Sequence, residues 1–313
     1  MPSIGTTDAN DNPYEGLYGG DATHWAFGTA FADPLAGVVG PTGREAAVPD
    51  GVQARDLATY AVMLADDALV MSQRIAEWCS NAPDLEEDVA LSNVALDLLG
   101  QARLLYTRAA AVDPDGVPPL PEGSPAPPED AFAFFRDAAG FRNVHLTEVE
   151  NGDFADAVVR ILVFATWRLA LTERLSESTD PILAAVAAKA VKELTYHRDY
   201  AGRWVVTLAG GTEESRRRVL AAWDRVWPLR PELGATHPVE ERLARAGAGV
   251  DPADVDASVD DVLRQVWDAA GMEEQGHRPA TGPQGRDGRH TDALVPLLAD
   301  MQSVARAHPS GRW

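Results

Sequence analysis

The chain has 313 residues, 45% hydrophobic and 24% charged, enough for one large globular domain or two ordinary ones. Its net charge of −21 sets it against nucleic acid and anionic membranes as partners. Cys79 is the sole cysteine, so a disulfide framework or a cysteine-based metal site within one chain is excluded, and a reduced, cytoplasmic setting is expected.

Residues 1–54 carry Gly, Pro and Asp with scattered aromatics (Tyr14, Tyr18, Trp25, Phe27, Phe31) and no sustained period. They read as an N-terminal extension, either a disordered tail or an arm lying along a partner or along the chain's own bundle. The first dozen residues lack the basic segment and apolar core of a signal peptide. Residues 55–313 read as one helical domain. From 55 to 78, Leu57, Ala61, Leu64, Ala68, Met71, Ile75 and Trp78 recur at spacings of four and three, the seam of a helix packed in a bundle. Pro83 and Asp84 open a second helix, with Asp84 as cap and Glu87 in the position of a capping box. Leu91, Ala95, Leu98, Ala102, Leu105 and Ala109 repeat the seam, and the short link predicts antiparallel neighbours.

A proline-rich crossover follows (113–128), then a short amphipathic piece (129–139). A third helix is expected after Asn151-Gly152, with Asn151 as cap and Asp153 in the first turn. It is apolar on almost every side between 157 and 171, so it is expected to be the most buried helix; Arg160 and Arg168 interrupt the run, which is too short to span a bilayer. Asp180-Pro181 opens the fourth helix as cap and first residue, and Gly210-Gly211 closes it. Beyond it the sequence predicts a helix capped by Thr212 and carrying Trp223 and Trp227, another over 252–274, a Gly-rich basic loop (282–289) and a last helix capped by Thr291. No strand pattern stands out. The predicted class is all-α: a ferritin-like four-helix bundle with additional C-terminal helices.

Bundles of this type commonly hold two irons, using a Glu from each of two helices and Glu-x-x-His from each of the other two. Here the four long helices carry one histidine, His197, preceded at four by Glu193 rather than at three. Asp67, Asp97, Asp156, Glu193 and His197 are the residues that a vestigial metal site would use. Three residues after Asp97 stands Gly100, where a ligand histidine would be needed. The favoured expectation is that arginines neutralise these carboxylates, Arg74 serving Asp67 and Arg160 serving Asp156, with His197 a buried imidazole on a carboxylate. No dinucleotide, Walker or nucleophile-elbow motif occurs. Cys79 is expected to be buried and inert. The Arg216-Arg217-Arg218 run and the 282–289 loop are weak anion-site candidates, for instance for CoA phosphates.

Three blocks carry a specific resemblance: SQRIAEWCSNAPDLEEDVALSNVALDLLGQAR (72–103), NGDFADAVVR with AAKAVKELTYHRDYAGRW (within 151–204), and the end GRDGRHTDALVPLLADMQSVARAHPSGRW with its terminal Trp313. Together they resemble the C-subunit family of the bacterial phenylacetyl-CoA epoxidases, over about residues 57–313. The resemblance implies a ferritin-like fold and assembly with a related A subunit that holds the two irons and binds phenylacetyl-CoA. It also implies a small B subunit and an NADPH-dependent reductase of flavin and iron–sulfur type, acting together in aerobic phenylacetate breakdown. It implies a structural role for this chain, with no cofactor of its own. The alternatives are an oxygenase in its own right with an atypical ligand set, and a standalone homodimer.

Overall fold

The computed structural model describes residues 47–273, 282 and 284–311. Among these residues there is no strand. The long helices are α1 (Ala54–Ala76), α2 (Leu85–Val112), α4 (Phe154–Leu175) and α5 (Pro181–Ala209); α3 (Pro128–Phe134) lies in the crossover between α2 and α4. The smaller helices α6 (Glu213–Val226), α7 (Pro238–Arg245), α8 (Asp256–Ala269) and α9 (Leu294–Ala307) follow. The N-terminal extension and Trp313 lie largely or wholly outside the described residues.

Two antiparallel hairpins, α1/α2 and α4/α5, make the bundle, and the long crossover joins them as in ferritin-like folds. The seams assign the inner faces correctly: Leu57, Leu64, Ala68, Met71, Leu98 and Leu105 are all buried in one core. α4 is indeed the most enclosed, with 18 of its 22 residues buried. α1 follows with 17 of 23, whereas α2 and α5 bury only 10 of 28 and 10 of 29. The difference is architectural. α7 and α9 cover α1 and α6 and α8 cover α4, whereas α3 packs mainly on α2, whose N-terminal half keeps an exposed outer face, and α6 and α8 reach only part of α5.

Capping fixes the helix starts. Asp84 accepts from Glu87 N at 3.0 Å, but the Glu87 carboxylate reaches Tyr200 and Trp204 rather than closing a capping box. Asp180 accepts from Ile182 N and Leu183 N. Thr212 heads α6 through a capping box with Ser215. Three further expectations are corrected, and one helix is added. Asp153, not Asn151, caps α4, in a box with Asp156; Asn151 instead donates to the Arg74 carbonyl at 2.7 Å. α7, capped by His237, was not foreseen because its eight residues are too short to show a period. The helix predicted over 252–274 is a 3₁₀ turn (Pro252–Asp254) followed by the shorter α8, since Val255 breaks the register. Thr291 does not head the last helix, which begins at Leu294; its hydroxyl and N–H both go to Glu148.

Candidate functional site

The centre of the bundle is the natural position for a site, and the sequence fills it with an arginine. Arg168 on α4 donates through Nε to Gln101 Oε1 on α2 at 3.0 Å and through Nη1 to the Leu64 carbonyl on α1 at 3.1 Å. Gln101 in turn donates to Glu193 on α5 at 3.0 Å, and Lys189 closes on the other oxygen of Glu193 at 2.5 Å. All four long helices therefore meet in one polar chain. Burial pushes the Arg168 guanidinium down to about 10, with Arg286 adding to the depression and Asp67 and Glu193 opposing it. It lies inside the apolar run of α4, where a buried cation has to find acceptors.

One turn along α2, His197 Nε2 lies 3.0 Å from Asp97 Oδ2. The imidazole is buried and the carboxylate partly exposed. Asp97–His197, Gln101–Glu193 and Glu87 with Tyr200 and Trp204 form three polar rungs between antiparallel α2 and α5.

Asp67 and Asp156 belong elsewhere. Asp67 binds Arg286 by two bonds of 2.9 and 2.8 Å and accepts from Val144 N at 2.9 Å. Its expected partner Arg74 sits two turns further along α1 and donates to the carbonyls of Glu148 and Ala293 and to Glu77. Asp156, at the head of α4, is held by Arg225 of α6. Arg160 reaches Val149 O and Asn151 instead. Arginines do neutralise both carboxylates, but they come from remote elements, because residues four or seven apart on one helix here lean towards different neighbours.

Two features invisible in local sequence organise the region. Asp66, adjacent to Asp67 and equally buried, takes both guanidinium arms of Arg136 at 3.1 and 2.5 Å, Arg142 N at 2.7 Å, and the Tyr106 hydroxyl. Burial, followed by the Asp66 charge, pushes Tyr106 well above the usual phenol range. Arg286, from the 282–289 loop, is buried between Asp67 and Glu240. Burial opposes its charge, but the two carboxylates outweigh burial and hold it above the ordinary guanidinium value. Arg286 thus makes that loop an internal clamp: Glu232 accepts from Gly285 N at 2.8 Å, and just beyond the loop Glu148 accepts from His290 and Thr291. The Arg216–Arg218 run is also engaged, Arg217 and Arg218 with Glu214 and Arg216 with carbonyls that include Ala209 and Gly271. Cys79 is exposed rather than buried, with its sulfur 3.2 Å from Ser92 Oγ.

Among the described residues no group of three or more His, Cys, Asp or Glu side chains is placed to hold a metal ion, and no helix is long and apolar enough to cross a membrane. The donors that converge at the bundle centre are a guanidinium, an amide and a lysine-bound carboxylate. A carboxylate–histidine di-iron set needs several anionic oxygens and two imidazoles at that position.

A ferritin-like bundle with an arginine at its centre is the class that fold and site define. By sequence, the chain belongs to the phenylacetic acid catabolic protein family, whose model matches residues 44–313. It is 39% identical over 268 residues to the C-subunit of the 1,2-phenylacetyl-CoA epoxidase of Escherichia coli (strain K12), a match that covers 82% of this chain and 99% of that protein.

Proposed function

We propose that this chain is the non-catalytic structural subunit of a multicomponent phenylacetyl-CoA epoxidase. In this reading it docks beside a related di-iron A subunit and holds the helices of that partner in ligand-competent geometry. The A subunit binds phenylacetyl-CoA, a small B subunit joins the assembly, and a flavin and iron–sulfur reductase delivers electrons from NADPH. The observation that carries the reading is the chain Arg168–Gln101–Glu193–Lys189, which joins all four helices with bonds of 2.5–3.1 Å at the place a metal pair would take. Such an interior gives a rigid bundle without depending on iron, which suits a supporting role. The sequence relationship to a protein named as the C-subunit of such an epoxidase points the same way.

The test is metal analysis and native mass of the chain alone and co-expressed with its A subunit. The reading expects a stable complex, with iron following the A subunit and none bound stoichiometrically by this chain. Two irons per isolated chain would instead establish an oxygenase in its own right, and Glu193→Ala would then abolish turnover without disturbing assembly. A lone homodimer that ignores the A subunit would sink both.

A further inference from the structure

α2 is apolar on two opposite faces. Towards α1 it buries Leu91, Val94, Leu98 and Leu105. On the other side Leu85, Val89, Leu96 and Leu99 stand between 45% and 73% exposed, half of the eight exposed large hydrophobic side chains among the described residues. At about 100° per residue they fall within a strip roughly 80° wide and about 21 Å long. A helix with one solvent face normally turns polar side chains outward. Neighbouring α5 does so, with Lys189, Lys192, Asp199 and Arg203 exposed. Val295 and Val304 on α9 are also exposed, but nine residues apart they point to opposite sides and make no strip. Gly100 lies at the edge of the α2 strip, and a Cβ built there meets nothing within 4 Å. Glycine weakens a helix interior relative to alanine, and nothing among the described residues requires it at that point; close approach of another backbone would.

We propose that this outer face of α2, centred on Leu96 and Leu99, is where the iron-bearing partner lays an apolar helix. The inference rests on the subunit reading above and assigns the docking surface. A helix about 10 Å across laid along this strip of about 21 Å covers about 210 Å², roughly a quarter of the ~800 Å² per partner of a stable complex. The open surface of α5 supplies the rest, joined to the strip through Asp97–His197 and the exposed Tyr196. Charge selects among occupants. The strip begins at an acidic turn, Glu86 to Asp88, so the partner helix carries basic side chains there. A second copy, at net charge −21, is repelled. Residues 1–46 of this chain are repelled as well, with six acidic residues against Arg44 alone.

A photo-crosslinking residue at Leu96, in the complex co-expressed with the A subunit, reads the occupant directly. The expected product joins this chain to the A subunit; a product with residues 1–46, with a second copy, or with no chain at all overturns the assignment. Two substitution sets guard against misfolding. Leu96→Arg with Leu99→Glu is expected to lower recovery of the A subunit at least tenfold while the chain's own melting temperature holds. Val295→Arg with Val304→Glu is expected to leave recovery unchanged. Gly100→Leu should raise the chain's melting temperature yet weaken assembly, a pair of signs that a folding defect does not produce. Intact assembly in the Leu96/Leu99 variant overturns the docking surface alone. Failure of the wild-type chain to bind the A subunit overturns the subunit reading and, with it, this inference.

Discussion

Arg286 and Asp67 stand 219 positions apart in the chain and meet in a two-point ion pair with bonds of 2.9 and 2.8 Å. Both side chains are buried. Arg286 also donates to Glu240 at 3.3 Å and to the Arg142 carbonyl at 2.7 Å, so one guanidinium ties together α1, the crossover, α7 and the 282–289 loop. The pair closes the side of α1 that faces away from α2 and makes the C-terminal segment part of the bundle.

Removing that cation leaves two carboxylates in the interior without their main partner. Arg286→Met is expected to destabilise the chain by about 3–5 kcal/mol, read as a lower urea midpoint. Arg286→Lys keeps the charge but cannot make two parallel bonds to Asp67 while also reaching Glu240, so it is expected to recover only part of the loss. Asp67→Asn in the Arg286→Met background should recover more than the lysine, because it removes the stranded charge. If Arg286→Met matches the wild type, the clamp contributes nothing to folding.

Two histidines give stability opposite pH slopes. At His290 burial favours the neutral form, but the hydrogen bond and charge of Glu148 outweigh it and hold the imidazole above its usual value. A raised folded-state pKa means stabilisation that is complete below about pH 6.5 and lost as pH rises through the folded value. At His237 burial, the largest effect, lowers the pKa. Below about pH 6.5 the unfolded chain takes up that proton more readily, so stability falls as pH drops towards the folded value. Urea midpoints between pH 5 and 8 are expected to lose their alkaline decline in His290→Gln. They should lose part of their acid decline in His237→Asn. An unchanged alkaline slope in His290→Gln would exclude Glu148–His290 as its source.

The four long helices were legible because a bundle helix repeats its buried face every three or four residues, and caps such as Asp84 and Asp180 are local chemistry. The ion pairs were not. Arg74 for Asp67 and Arg160 for Asp156 satisfy helical spacing, yet the structure uses Arg286 and Arg225, which lie 219 and 69 positions away. Nothing in the local sequence sets Asp66 apart from Asp67, because only the approach of Arg136 and the crossover buries it. Arg168 was the one clue in plain view: a cation inside the apolar run of α4 requires interior acceptors, and Gln101 was the neutral residue able to supply one.

Gln101 and Arg168 are expected to respond unequally. Arg168 donates to an amide and a carbonyl rather than to a carboxylate, so its burial is poorly offset. Arg168→Met removes the charge but strands Gln101 Oε1 and the Leu64 carbonyl, so it is expected to change stability by less than about 1 kcal/mol. Gln101→Leu leaves the guanidinium and Glu193 each short of a partner and is expected to cost about 1–3 kcal/mol. The double variant should then lie above Gln101→Leu alone. Thermal and urea unfolding of the three chains decide it; a strongly destabilised Arg168→Met would show that the cation itself holds the bundle together.

Gly285 tests how tightly the clamp loop is packed. A Cβ there would sit 1.9 Å from the Asn143 carbonyl oxygen and 3.3 Å from Val144 Cα, both backbone atoms that cannot turn aside. Its N–H is fixed on Glu232 and its neighbour is Arg286, so relief has to come from moving the loop and stretching the pair with Asp67. Gly285→Ala is expected to destabilise by about 1–3 kcal/mol through overpacking. Gly123→Ala is the comparison: φ is +76° there but nothing lies within 4 Å, so only the left-handed backbone penalty of about 1–2 kcal/mol applies. The two differ in kind under a second change. Shortening Asn143 to alanine leaves its carbonyl in place and should not rescue Gly285→Ala, whereas Arg286→Met, which frees the loop, should make the added methyl nearly neutral. Additive losses in that last double variant would show that Gly285 and the ion pair are independent.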